Sequence, residues 1–306
     1  MATPFVNKHI TRVLAAGGTV AEPAWASDVD AWLTSQTLHP YLFDWANPAF
    51  GVIKNGSNEI SKIMGLGSTW LSRVGDLTPS APTSTLYDAT AIGSKPAWTN
   101  TSSSAYSYYG AARDGTIRAD PIRRKHRQGF TVVVVYKKNH ANLSSMLGLG
   151  QFGGIYLQNT AGAPGSCKFA VGPIGGTLFS DTHGTTLANS AAHIIGGTFN
   201  GDQVISYVEG VAGSGSATGY ATTNSGANQY RPLLGAANLT NQHYYQLVHG
   251  SSEAINTNSQ TSTARAISGT LNHADMSVSD LIIFDTALTP TQMASLNTLL
   301  RTRYGA

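Results

Sequence analysis

Charge is scarce in this chain. Asp, Glu, Lys and Arg make up 11% of its 306 residues, against about 25% in ordinary soluble domains. That composition does not suit a charge-laced helical bundle or a disordered tail. There is one cysteine, Cys167, so no intrachain disulfide can form. Glutamate occurs only at positions 22, 59, 209 and 253. A glycosidase needs two carboxylates about 5–9 Å apart across a cleft, and no spacing here groups such a pair. Nor does any spacing group a Tyr, a His and an Arg as a lyase would need. The nine histidines include no H-x-x-x-H pair, so zinc is not expected. Asp114, Asp181 and Asp202 sit in stretches that read as loops, where calcium is conceivable; turn capping is the plainer role. No metal and no cofactor are expected. No run approaches the ~18 apolar residues of a membrane helix. The start, MATPFVNKHITRVLAAGG, lacks the apolar core of a signal peptide. The expectation is a chain made in a reducing compartment, with no membrane partner.

What is abundant is Gly, at 33 residues, with Ser, Thr and Asn, beside a 41% hydrophobic content. Short apolar runs between such residues read as an all-β protein. HIIGGTFNGDQVISYVEG, from His193 to Gly210, shows the grammar. Asn200-Gly201-Asp202 tolerates positive φ and makes a tight turn. Ile195 and Phe199 share one face of the incoming strand. Val204 and Val208 share one face of the outgoing strand, Ile205 and Tyr207 the other. FTVVVVYK at Phe130–Lys137 is apolar on both faces and reads as a central strand. Further strands are expected at 41–43, 60–64, 145–149, 154–157, 168–171, 233–235 and 278–284. Stretches 76–101, 213–229 and 251–268 read as surface loops.

Both ends read as helical. Thr3-Pro4 caps a first helix that Gly17-Gly18 ends, and Glu22-Pro23 starts a second that His39-Pro40 stops. Trp25, Val29, Trp32 and Leu33 line one side of it. These helices form a segment, residues 1–38, that is too short to bury much alone and must dock on the main domain or on another chain. The main domain is residues 39–306. At its end, Thr289-Pro290-Thr291-Gln292 is a capping box with Pro in the first turn. Met293, Leu296, Leu299, Leu300 and Tyr304 then follow at helical spacing up to Gly305.

The net charge is +3 and is concentrated in RADPIRRKHRQ, from Arg118 to Gln128. Arg123, Arg124 and Arg127 there suit a contact with a neighbouring subunit. A nucleic-acid surface would need a basic face with stacking aromatics and is not expected. The candidate sugar-stacking aromatics are Trp70 and Trp98, in polar stretches, then Tyr106, Tyr108 and Tyr109 in SSSAYSYYG, and Tyr244 and Tyr245. For the tyrosines, covering the core is the plainer role. Cys167 reads as a small buried side chain.

The hairpin, with Tyr207 and Gly210 after a Gly-containing turn, resembles the strand–turn–strand of the laminin-G/concanavalin A-like jelly-roll domain family. MSVSDLIIFDTALTPTQMASLNTLLRTRYG resembles the closing strand and helix of its bacterial and phage members. It has an acid within the strand (Asp280), then Phe284-Asp285 and Leu288, and a final Tyr304-Gly305. LFDWANPAFGVIKNGSNEISKIMGLGS resembles their opening. The resemblance implies an all-β concanavalin A-like jelly-roll sandwich carrying a C-terminal helix and a small N-terminal helical segment. The helical start joined to such a domain resembles structural proteins of tailed bacteriophages. It implies a non-enzymatic virion component, assembled in the host cytoplasm, as a head decoration, fibre or tail appendage. Trp25, Trp32, Arg123, Arg124 and Arg127 would be its assembly contacts, other virion proteins its partners, host-surface glycans its ligands, and a homo-oligomer its form. Removing residues 1–38 should then leave a folded sandwich. A cellular carbohydrate- or protein-binding module, and a glycan-degrading enzyme with an unrecognised site, are the alternatives. The acidic strand pattern E-x-D-x-x-E of the related laminarinase-like enzymes is absent.

Overall fold

A computed structural model of the chain describes residues 3–67, 78–79, 85–100, 108–110, 129–138, 144–149, 155–159, 165–171, 179–217, 245–248, 276–284 and 286–305. Helix α1 (Pro4–Ala15) starts where the Thr3 hydroxyl accepts the Val6 N–H. It is left behind at Gly17, whose φ of 76° suits glycine. Helix α2 (Pro23–Ser35) follows and ends four residues earlier than His39, with Thr37 turning the chain at φ 57°.

The strands are β1 (Leu42–Ala46), β2 (Val52–Lys54), β3 (Ile60–Ile63), β4 (Thr78–Pro79), β5 (Thr85–Ile92) and β6 (Lys95–Asn100). Next come β7 (Tyr108–Gly110), β8 (Phe130–Lys138), β9 (Ser144–Leu149), β10 (Ile155–Asn159), β11 (Gly165–Val171) and β12 (Phe179–Leu187). They continue as β13 (Ala192–Phe199), β14 (Gln203–Val208), β15 (Val211–Ala212), β16 (Ser216–Ala217), β17 (Tyr245–Val248) and β18 (Met276–Phe284), before helix α3 (Pro290–Tyr304).

Among the described residues they make two large antiparallel sheets and the small β2–β3 pair. One sheet runs β15-β14-β13-β8-β18-β6-β5, with β1 also on β18 and β16 also on β14; the other runs β12-β11-β10-β9-β17-β7-β4. The expected hairpin has the expected faces. Ile195 pairs with Val208 and Phe199 with Val204. All four join Val132, Val134, Leu281 and Ile283 against Leu157, Cys167, Phe169 and Leu187 of the second sheet. The layers come close at Gly197: a Cβ there would run into the Phe169 ring.

The outer face of the first sheet is apolar too, as FTVVVVYK requires. Val133, Val135, Ile194, Tyr207, Ile282 and Phe284 lie under a helical layer. Phe5, Val6, Trp25, Val29, Trp32 and Leu33 come from α1 and α2, and Met293, Leu296, Leu300 and Tyr304 from α3. The N-terminal helices therefore share a core with the sandwich.

Readings of the stretch before residue 102 need correction. Stretch 76–101, expected as loop, contains the β5–β6 hairpin, with Tyr87 opposite Trp98. Its Ser, Thr and Pro residues mask strand β6, whose neighbouring Ala97 and Trp98 are buried in the two different layers of the core. Trp98, expected to be exposed, is fully buried, because β6 lies against β18 with Trp98 opposite Val278. The expected strand at 233–235 and the loop at 251–268 lie outside the described residues.

Candidate functional site

The second sheet brings together two aromatic segments that are far apart in sequence. Strand β7 carries Tyr108 and Tyr109, and it pairs with β17, which begins at Tyr245: Tyr108 lies opposite Val248 and Tyr109 opposite Leu247. Tyr245 itself pairs with Leu149 of β9. Strand β4 closes this side, with Pro79 opposite Tyr109. Of the other candidates, Trp70, Tyr106 and Tyr244 lie outside the described residues, as do Arg123, Arg124 and Arg127. Trp98 belongs to the core.

Trp25 and Trp32, expected as assembly contacts, are spent inside the chain. Trp32 sits edge-on to Trp45 and donates its indole N–H to Ser295 Oγ at 3.0 Å. Trp25 stacks on Phe50, and the Arg303 guanidinium lies 4.5 Å over its ring.

Sequence reading singled out Asp280 through the family resemblance and Tyr304 through that and its helical spacing; the structure joins them. Asp280 is fully buried. Its Oδ1 accepts from Trp45 Nε1 and Asn47 Nδ2, both at 2.7 Å, and its Oδ2 accepts from the Tyr304 hydroxyl. Tyr304 Oη in turn accepts from Arg303 Nε at 3.0 Å and Asn47 Nδ2 at 3.1 Å. Arg303 Nη1 reaches Glu22 Oε2 at 2.7 Å, which Lys95 Nζ approaches at 3.6 Å. Burial pushes the Asp280 carboxyl up from its ordinary range, against the opposing pull of Arg303, Tyr304, Asn47 and Trp45. Burial and the Asp280 charge push the Tyr304 phenol well up. These hydrogen bonds and ion pairs tie α3 to β18, to β1 and to the start of α2.

A second set of polar bolts joins the sheets at β12 and β14. Asp181, expected in a loop, is a buried strand residue. Its Oδ2 accepts the Ser206 N–H at 2.8 Å and the Ser206 hydroxyl at 2.6 Å, and Ser214 Oγ approaches Oδ1 at 3.4 Å. A side chain at Gly213 would collide with that carboxylate. Asp181 thus fills the gap where β14 passes from β15 to β16. His183 donates from Nε2 to Val211 O at 3.1 Å. Cys167 is buried, and burial pushes its thiol up to about 12. Asp202 is an exposed turn residue, and Asp114 lies outside the described residues. Among the described residues no group of three or more His, Cys, Asp or Glu side chains could hold a metal ion. Their buried carboxylates, on Asp30, Asp44, Asp181 and Asp280, all accept hydrogen bonds from within the chain.

No protein-family model matches the chain, and no curated protein matches it. Solved structures do. The chain is similar to a Trypanosoma rangeli sialidase solved with sialic acid, with TM-score 0.50 and 12% identity over 86% of this chain and 33% of that one. It is similar to the botulinum neurotoxin serotype D ligand binding domain solved with N-acetylneuraminic acid, with TM-score 0.52 and 10% identity over 86% of this chain and 52% of that one. It is also similar to the binding domain of paraclostridial mosquitocidal protein 1, with TM-score 0.52 and 10% identity over 85% of this chain and 52% of that one. The chain thus spans a third to a half of the length of these structures. At such identities the likeness concerns the fold: an antiparallel, concanavalin A-like jelly-roll sandwich with a C-terminal helix.

Proposed function

We propose that this chain is a non-enzymatic glycan-binding jelly roll. Its binding surface is the part of the second sheet where β7 and β17 meet, around Tyr108, Tyr109 and Tyr245. The observation that carries the reading is this pairing of strands, which places two tyrosine-bearing segments side by side. Aromatic faces stack on the apolar faces of sugar rings, and a sheet supplies a rigid platform for them. Two of the similar structures were solved with sialic acid or N-acetylneuraminic acid, which makes sialylated glycans the first ligands to try. The absence of catalysis is part of the proposal. It is supported by the buried carboxylates of the described residues, each held by hydrogen bonds inside the chain.

The finer part of the reading sets this domain on a tailed-phage particle as a displayed structural component. That part rests on the likeness of the helical start, joined to such a jelly roll, to structural proteins of tailed bacteriophages. Proteomics of purified particles from the host that carries the gene is its direct test, and a particle lacking the chain ends it.

For binding, the full chain is applied to an array of sialylated and neutral glycans, alongside Tyr109→Ala and Tyr245→Ala. The expected result is binding that falls at least tenfold in either variant, about 1.4 kcal/mol per lost stacking contact. No binding by the wild type, or equal binding by all three, would sink the glycan reading. Release of free sugar from a bound glycan would sink the non-enzymatic one.

A further inference from the structure

The chain has two Asn-Gly pairs, Asn55-Gly56 and Asn200-Gly201, and each lies in the turn of an antiparallel strand pair. A glycine nitrogen, unshielded by a side chain, can attack the side-chain amide carbon of the Asn before it. The surroundings of Asn55 favour that reaction. Asn55 Oδ1 accepts two backbone N–H groups, from Ser57 at 2.9 Å and from Glu59 at 3.0 Å. Such a pair of donors stabilises the oxyanion that forms when a nucleophile adds to the amide. Asn55 Nδ2, the nitrogen that would leave, donates to Glu59 Oε2 at 2.5 Å. Asn55, Gly56 and Ser57 are exposed, so water reaches the turn. The Asn200 turn is a built-in comparison. Its Oδ1 also accepts two backbone N–H groups, from Asp202 at 2.9 Å and from Gln203 at 2.8 Å. No carboxylate of the described residues bonds its Nδ2.

We propose that Asn55 is a self-modifying residue, with Glu59 as the acid–base group that serves its leaving nitrogen. Gly56 N bonds to Asn55 Cγ, and the Cγ–Nδ2 bond breaks. Glu59 passes the Gly56 amide proton to Nδ2, which departs as ammonia. Water then opens the resulting succinimide at either carbonyl, leaving aspartate or isoaspartate at position 55. Nothing is oxidised or reduced. The product sets a second carboxylate against Glu59 where an amide had donated, and like charges in contact repel. The isoaspartate form also reroutes the main chain through Cβ. Both changes loosen a hairpin that touches its neighbours on two sides. Val52 of β2 exchanges backbone hydrogen bonds with Thr19 at 2.9 and 3.0 Å, and Glu59 bridges to Leu86 of β5. The reaction is independent of the proposed glycan surface, which lies on the second sheet.

The test keeps the full chain in neutral buffer for weeks and maps its peptides by mass spectrometry. The amide, aspartate and isoaspartate forms are counted at positions 55 and 200, for wild type, Glu59→Gln and Gly56→Ala. In the first variant the new side-chain carbonyl can still accept from Asn55 Nδ2, but it cannot carry the proton. In the second the added methyl group meets open space and only shields the attacking nitrogen. In the wild type, position 55 should convert about tenfold faster than position 200, a small share of what a positioned acid–base group supplies. Glu59→Gln should remove that lead, and Gly56→Ala should slow position 55 as well. Conversion at position 55 no faster than at position 200 overturns the proposal. So does a rate at position 55 that either variant leaves unchanged.

Discussion

At the scale of single residues, the clearest physical consequence lies in His9. It projects from α1 into the core, fully buried, with Nε2 3.1 Å from Phe50 O. Burial and the nearby Arg12 charge lower its pKa from 6.5 to about 4. The unfolded chain therefore takes up a proton near pH 6.5, and the folded one only near pH 4. Stability from the neutral ring is full above pH 6.5 and lost as the pH falls from there to about 4, a loss on the order of 3 kcal/mol. Gln at this position keeps a donor for Phe50 O and carries no titratable group. We expect His9→Gln to unfold in urea at nearly the same free energy at pH 7 and pH 4.5, with the wild type losing stability over that interval. Equal losses in both proteins would place the acid sensitivity elsewhere. Cys167 is the opposite kind of residue. With its thiol pushed up to about 12, it stays protonated and chemically quiet while the sandwich is closed.

Elements were legible where local chemistry and long-range packing agree. The Thr289 cap is such a place: its hydroxyl accepts the Gln292 N–H at 3.2 Å, and the Gln292 side chain accepts the Thr289 N–H at 3.0 Å. Gly305 ends α3 at φ 65°. We expect Thr289→Ala to lower stability by about 1 kcal/mol and Gly305→Ala by about the same, measured by chemical denaturation. Changes under about 0.3 kcal/mol in both would mean that packing of Met293, Leu296 and Leu300 fixes α3 without its caps. Elements were illegible where polar side chains are buried. Strand β12, FSDTHGTTL, looks like loop because Asp181 and His183 point inward, and their inward partners are Ser206 and the carbonyl of Val211. Nothing in a single sequence announces those partners. Trp98 misleads for the related reason that its neighbours Pro96 and Thr99 suggest a surface, yet register with Val278 buries it. On the functional side, the sequence marks the tyrosine segments individually. Their meeting on β7 and β17 is a property of sheet order alone.

At the scale of the whole molecule, the described residues form three layers: helices on sheet on sheet. Reading residues 1–38 as a separable anchor follows naturally from their change of pattern, since short amphipathic helices must dock somewhere. The structure gives their docking face to this same chain. Trp25 and Trp32 pack around Trp45, Arg303 lies over Trp25, and Glu22 holds Arg303. Removing both helices would uncover Trp45, Phe50, Phe284, Val133, Val135 and Ile282 together. The departing Phe5, Val6, Trp25, Val29, Trp32 and Leu33 bury about 1.5–3 kcal/mol each, a sum comparable to the 5–15 kcal/mol that holds an ordinary domain together. A chain beginning at residue 39 should therefore be insoluble or bind a hydrophobic dye strongly, with a melting transition lowered by tens of degrees or absent. A soluble truncated sandwich that melts near the full chain would mean the helical layer adds little to the fold. That outcome would return Trp25 and Trp32 to the role of contacts with another molecule, because a layer that can leave without cost is free to bind elsewhere. The expected collapse would instead make the helices part of the fold, and surfaces for partners would then have to be sought on the second sheet.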